Sequence, residues 1–357
     1  MVKKLWHLVL AIGTGFIFIT AAAHASTHDF YKGKTVRLIV AFSPGGGFDT
    51  YTRAIARHLS KHIPGNPTII VENMTGAGGI IQANFMYQKA KPDGLIIGNN
   101  IGGLILQQIM GAKGIEFDAR KFEYIGVPTI DHAVCALTKA SGITSMDKWF
   151  AAKEPVKIGG VGPGGQASDV PRTIQTALGL PIKVVDGYKG TADIRLAAES
   201  GELAGGCWAW ESVKTTWRKG IESAEVVVVL QTMPKKHPEL PHVPMDIDYA
   251  KSEEGRKLLK HGIHDTAILT RLYFLPPGTP KERVQILRRA FSDTLKDTEF
   301  LTETKKSNLD VNPVAGEEIE KIVAGLFKLE SGMVARLKEV LVPKRSEERR
   351  VGKECRL

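Results

Sequence analysis

Twice along the chain a short apolar run of strand type breaks into a Pro-Gly-Gly turn and then into a helical stretch. Val36 to Phe42 leads into Pro44-Gly45-Gly46-Gly47, and Val156 to Ile158 leads into Pro163-Gly164-Gly165. A near-continuous apolar run asks for burial on both faces, which a parallel sheet covered by helical crossovers supplies. Glycine lets backbone N–H groups turn toward a ligand and lets the ligand come close, while a helix start carries roughly half a positive charge. Each turn is therefore a potential anion cradle. In open α/β sheets ligands sit beyond the carboxyl ends of the strands, so two such turns on two domains would face a shared cleft. The plainer alternative is that both are only tight turns between strand and helix.

The segments around these turns alternate between the two periods. Asp49 or Thr50 can cap a helix whose Tyr51, Ala54, Ile55, His58 and Leu59 share a stripe. Thr68 to Val71 reads as a strand, Ile81 to Ala90 as a helix and Leu95 to Gly98 as a strand, completing a βαβαβ unit with right-handed crossovers. A second unit follows: a helix from about Ser168 to Leu178, then strands at Ile182 to Val185, Leu203 to Trp210 and Val226 to Leu230. Pro234, Pro238, Pro241 and Pro244 punctuate a crossover or linker. Beyond it, Tyr273 to Pro280 opens a long helical stretch, and a last helix is expected from about Glu317 to Val340. These C-terminal helices have no sheet of their own and should pack on the first domain.

Both ends stand apart from this pattern. Met1 to Ala25 reads as a cleavable export signal, with Lys3 and Lys4, an apolar stretch from Leu8 to Thr20, and Ala23-His24-Ala25 before Ser26. Pro343 stops the last helix, and residues 343–357 read as a disordered, non-native-looking tail. The net charge of +10 comes from 48 Lys/Arg against 38 Asp/Glu; without signal and tail, 40 against 35 remain, so the folded part is about +5. That mild excess suits anionic small molecules, and no basic run with interleaved aromatics argues for nucleic acid. Cys355 lies in the tail, leaving Cys135 and Cys207, which their apolar neighbours mark as two buried thiols more simply than as a disulfide.

Few catalytic signatures fit. Gly160 to Gly165 matches GxGxxG with Asp186 following about 20 residues on, as a nicotinamide site requires, but Pro163 stiffens the turn, Pro171 enters the helix, and an exported protein meets little of that cofactor. GxxxxGK[ST], GxSxG and HExxH are missing from the sequence, and no Cys/His spacing suggests a metal. Asp131-His132 is an acid/base pair only by adjacency, which usually points side chains apart.

Six collinear motifs carry a resemblance. They are Lys34 to Val40, Phe42 to Asp49, Val71-Glu72-Asn73 with Gly76 to Gly79, Lys91 to Gly94, Gly187 to Gly190, and Leu275 to Pro280. Over about Phe30 to Val342 the chain resembles the solute receptors of tripartite tricarboxylate transporters, also called Bug receptors. The resemblance implies a two-domain type II periplasmic binding protein, each domain a sheet flanked by helices. Residues 26–126 and 231–342 would form the first domain and 127–230 the second. It implies a monomeric, non-catalytic protein without cofactor, closing on a small organic carboxylate and presenting it to the transporter's membrane subunits. An exported enzyme using Asp49 or Asp169, and a ligand-sensing subunit for a receptor kinase, are the rival readings.

Carried over residue by residue, the ligand carboxylate would be held by Ser43, Gly46, Gly47, Asp49 and Thr50 in the first loop, and by Gly162, Gly164, Gln166, Ala167 and Ser168 in the second. Asn100 would stand in a third cleft loop and Tyr188 near the mouth. The chain departs from the family at Cys207-Trp208-Ala209-Trp210, where many members carry Phe-Asp, so amino-acid ligands lose their acidic partner. Trp208 and Trp210, two apart on a strand, would share a face, either in the core or lining the cleft in favour of an apolar or aromatic carboxylate.

Overall fold

A computed structural model describes residues 30–342, so the proposed signal and tail lie outside the described residues. Among the described residues, eleven strands form two mixed sheets. The first runs in the order β11-β4-β10-β3-β1-β2, with β1 (Thr35–Val40), β2 (Thr68–Asn73), β3 (Ile96–Asn100), β4 (Glu123–Val127), β10 (Leu272–Leu275) and β11 (Val314–Ala315). The second runs β7-β6-β8-β5-β9, with β5 (Ala133–Thr138), β6 (Val156–Gly159), β7 (Ile182–Val185), β8 (Gly205–Ala209) and β9 (Val226–Gln231). In each sheet a parallel trio carries the Pro-Gly-Gly turn: β1 pairs with β2 and β3, and β6 with β7 and β8. The remaining strands add in antiparallel fashion.

The helices that matter for the site follow these strands. They are α1 (Gly47–Leu59), α2 (Ile80–Gln88), α3 (Gly103–Ile109), α4 (Met146–Phe150), α5 (Gln166–Leu178), α6 (Thr191–Glu199) and α7 (Trp210–Thr216). In α1 the residues Tyr51, Ala54, Ile55 and Leu59 are buried, as the 3.6-residue stripe requires, whereas His58 is only half-buried. Buried Val36, Leu38, Tyr51 and Ile55 form part of one apolar cluster under the first sheet. Another cluster joins the two halves, since Phe42 and Leu104 from one side and Val161 and Trp208 from the other belong to it.

Four local expectations are corrected. Leu272–Leu275 is a fully buried strand between β3 and β4 rather than the opening of a helix; the helix starts only after Pro276 to Pro280, whose rings cannot continue a ladder. The C-terminal segments thus do contribute to a sheet, through β10 and β11. The last helix is two, Gly316–Leu326 and Ser331–Leu341, divided by a tightened turn just after Gly325 in which the Lys328 amide donates to the Gly325 carbonyl at 2.9 Å. Finally, β8 ends at Ala209 and Trp210 begins α7, so Trp208 and Trp210 do not share a strand face.

Cys135 and Cys207 are bonded rather than free. They stand directly opposite each other on antiparallel β5 and β8, and a cross-link between residues 72 apart constrains the unfolded chain, stabilising by about 2–4 kcal/mol. Sequence could not reveal this because the register of two strands 72 residues apart is set by the fold.

Candidate functional site

The first loop is wired to leave helix-start amides free. Gly45, at φ +76°, takes a left-handed turn that brings its amide to Asp49 Oδ2 at 2.9 Å. Asp49 is buried and also accepts from Arg53 Nε at 2.9 Å and from Asn73 Nδ2 at 3.0 Å. Burial alone would raise its carboxyl, but Arg53, the Gly45 amide and Asn73 together hold it below the ordinary value. Thr50 Oγ1 donates back to the Gly46 carbonyl at 3.0 Å. Asp49 and Thr50 therefore bind their own loop. The Gly47 and Phe48 amides, in the first turn of α1, have no intrahelical acceptor.

The second loop repeats the wiring. Gly164, at φ +85°, donates its amide to both carboxylate oxygens of Asp169 at 3.1 Å, and the Gly162 amide donates to Ser168 Oγ at 2.8 Å. Ser168 in turn donates to Asp186 Oδ1 at 2.6 Å, and Asp186 pairs with Arg172. Asp186, the acid of the nicotinamide reading, is thus spent on the loop's own scaffold. Gly162, Gly164 and Ser168 are likewise engaged within the loop, while Gln166 and Ala167 start α5 with free first-turn amides. Burial pushes the Asp169 carboxyl up to about 7, against Arg172 and the Gly164 amide.

The two helix starts meet at one cavity of about 30 Å³, room for little more than a water-sized group. Gly46, Gly47 and Phe48 reach it from α1, Gln166 and Ala167 from α5, and Trp208 from β8. Larger depressions, of about 780 and 420 Å³, lie open elsewhere on the surface, away from both loops. Glycines allow the close approach of the two halves: a Cβ at Gly103 would overlap the Gly164 carbonyl, and one at Gly190 would overlap Ser43. The Ser43 amide crosses the same seam to the Lys189 carbonyl at 3.1 Å, and its buried Oγ has no partner among the described residues.

Other expected residues are placed elsewhere. Asn100 Nδ2 is taken by the Gly79 carbonyl at 2.9 Å and Gln82 Oε1 at 2.7 Å; its neighbour Ile101 lines the cavity instead. Tyr188 donates to Glu202 at 2.6 Å and does not line the cavity. Trp208 stacks on the buried Trp217, with centroids 5.7 Å apart and planes at 12°. Trp210 turns away to donate to Glu239 at 2.6 Å.

Three further wall residues carry polar groups: Thr191 at the start of α6 and Ser212 on α7, which no motif announced, and Asp131 between β4 and β5, which the sequence offers only as an acid/base neighbour of His132. Asp131 sits on the first connection between the sheets. Arg271, just before β10, ends the second. Arg271 Nε donates to Asp131 Oδ1 at 2.7 Å and Nη2 to Ser212 Oγ at 2.7 Å, with the guanidinium over the Tyr51 ring at 4.3 Å. Glu211 is also buried there and accepts from the His132 amide at 3.0 Å. Burial raises both carboxyls, and Asp131 raises Glu211 further, to about 8. One guanidinium serves two acids: Arg271, bonded directly to Asp131, opposes the rise there, while Glu211 holds a proton at neutral pH.

Comparison with known proteins follows this geometry. The profile of the tripartite tricarboxylate transporter family receptor matches residues 51–338. The chain belongs to that family. A relative in Pseudomonas sp. strain P51, the UPF0065 protein of the tcbD-tcbE intergenic region, is 26% identical over 328 residues, covering 89% of this chain and 90% of its own. Protein BugT of Bordetella pertussis is 40% identical over 67 residues, 18% of this chain and 20% of its own. Among solved structures, the periplasmic binding protein BugD superposes with a TM-score of 0.70 at 22% identity, over 88% of this receptor and all of BugD. MatC from Rhodopseudomonas palustris with bound malate gives 0.67 at 18%, over 86% and 99%. This receptor therefore has the two-domain periplasmic binding-protein fold. Among its described residues no helix is long and apolar enough to cross a membrane.

Proposed function

We propose that this receptor captures a small organic carboxylate between the starts of α1 and α5 and delivers it, without catalysis, to the membrane subunits of a tripartite tricarboxylate transporter. The observation that carries the reading is the meeting of two helix starts, contributed by separate sheets, at one cavity. Four first-turn amides, of Gly47, Phe48, Gln166 and Ala167, offer main-chain donors to an anion without a dedicated basic side chain. A donor bonded to a charged acceptor contributes about 1.5–3 kcal/mol, so a few suffice for the roughly −8 kcal/mol of micromolar binding. Relatives of the same fold support the ligand class: MatC was solved with malate and another R. palustris protein with adipate.

The chain crosses between sheets at residues 128–132 and 232–271, which supports a discontinuous first domain around a second that begins near 127; Ala250, Leu259 and Ile263 in the second crossing pack in the core of the second sheet. With room for so little between them, the domains must part to admit a carbon chain and close over it, and a ligand touching both stabilises only the closed form. The receptor would act as a monomer in the periplasm after loss of residues 1–25. Titration calorimetry with mono-, di- and aromatic carboxylates tests the proposal. Micromolar binding of at least one acid is expected; silence across the panel, with a neutral sugar or a simple amine binding instead, would refute it.

A further inference from the structure

We propose that Asp131 is a specificity residue that selects carboxylates bearing a hydroxyl group. The inference rests on the carboxylate reading and names what the rest of the ligand must offer. Asp131 lines the cavity between the helix starts and has no exposed surface. Its Oδ1 is taken by Arg271 Nε at 2.7 Å, but its Oδ2 has no hydrogen-bond partner among the described residues. A buried carboxylate oxygen left unpaired is costly, and the walls around it do not relieve that cost. Ile101, Phe42 and Val161 are apolar, the Trp208 indole N–H makes no hydrogen bond among the described residues, and the Ser212 hydroxyl already accepts from Arg271. A donor carried in by the ligand would satisfy the orphaned oxygen.

Charge decides which donor. Asp131 is neutralised by Arg271 at contact distance, and the neighbouring Glu211 holds its proton at neutral pH, so the cluster offers an acceptor without surplus negative charge. An ammonium would arrive with its own charge and lose its hydration in a site that does not compensate it. A second ligand carboxylate placed beside Asp131 would meet a like charge. A neutral hydroxyl pays least and gains a bond to a charged acceptor. The small cavity keeps that hydroxyl within a few bonds of the carboxylate held by the helix starts.

Calorimetry on the full mature chain with matched pairs tests this: lactate against propionate, 3-hydroxybutyrate against butyrate, malate against succinate, and alanine against lactate. At least one hydroxy acid should bind about tenfold or more tightly than its deoxy partner. In Asp131→Asn that ratio should fall toward one. Because Asp131→Asn strands Arg271, the double variant Asp131→Asn with Arg271→Met is measured beside it, with thermal melting to verify folding, and should show the same loss of preference. Equal affinities within every pair, or a preference that survives in the folded variants, overturns the inference while leaving carboxylate binding standing. Tighter binding of alanine than lactate overturns the choice of hydroxyl. Silence to every acid overturns the carboxylate reading and this inference with it.

Discussion

At the residue scale, two loops spend their obvious polar side chains on themselves. Asp49 and Asp169 each hold the amide of a left-handed glycine, and Ser168 bridges the Gly162 amide to Asp186. What remains for a ligand is backbone, which explains why a site can be built around glycines and apolar walls. The buried acids leave a signature in pH. Asp169, raised from 3.8 to about 7, and Glu211, raised from 4.5 to about 8, both bind a proton more tightly in the folded than in the unfolded state. Between pH 4 and 8 the native state then carries the extra protons, and stability falls as pH rises through that window. His132 opposes them: burial, then His237, lowers it to about 4, so its contribution is present above 6.5 and lost as pH falls toward 4. Two groups outweigh one, and the melting temperature should be several degrees higher at pH 5 than at pH 8. In Asp169→Asn, which keeps an acceptor for the Gly164 amide, the difference should shrink; an unchanged pH slope would show that Asp169 titrates normally. Gly46, Gly47, Gln166 and Ala167, which line the cavity, are named by the family resemblance, while the sequence leaves Trp208 open between core and cleft. It hides Thr191 and Ser212 and shows Asp131 only as a neighbour of His132, because each reaches the cavity from an element whose position depends on distant strands.

At the element scale, the helix starts are brought together by residues that lack side chains. Gly103 at the start of α3 lies against the Gly164 carbonyl, and a Cβ there would meet backbone that cannot swing away. Gly103→Ala should leave each half folded but hold the two apart. Small-angle scattering should then find a radius of gyration that ligand no longer reduces, and carboxylate affinity should drop at least tenfold. Gly332→Ala, where nothing lies within 4 Å, should change neither. If Gly103→Ala closed and bound normally, the seam would not be set by glycine contact. The parallel trios β1-β2-β3 and β6-β7-β8 were legible because apolar runs ended in turn chemistry. Strands β4, β5 and β10 were not, since short apolar segments read equally as helix or strand, and only the sheet order decides. Trp210 misled for a related reason: the end of β8 is fixed where α7 begins and Trp210 finds Glu239, not by any local punctuation.

At the scale of the whole molecule, the two sheets are joined by connections that Asp131 and Arg271 pin to each other beside the cavity. The cavity and the connections between the sheets are therefore adjacent in space, an arrangement by which a ligand held there would act on closure about a hinge. The central claim is that first-turn amides of α1 and α5 grip a carboxylate together. Amide NMR on protein labelled with ¹⁵N at glycine, phenylalanine, glutamine and alanine reports this most directly, titrated with the tightest acid from the calorimetric panel. The account predicts that the Gly47, Phe48, Gln166 and Ala167 resonances move together and saturate at one affinity. Saturable binding that leaves those four amides unmoved, with shifts confined to residues outside the cavity, would contradict it.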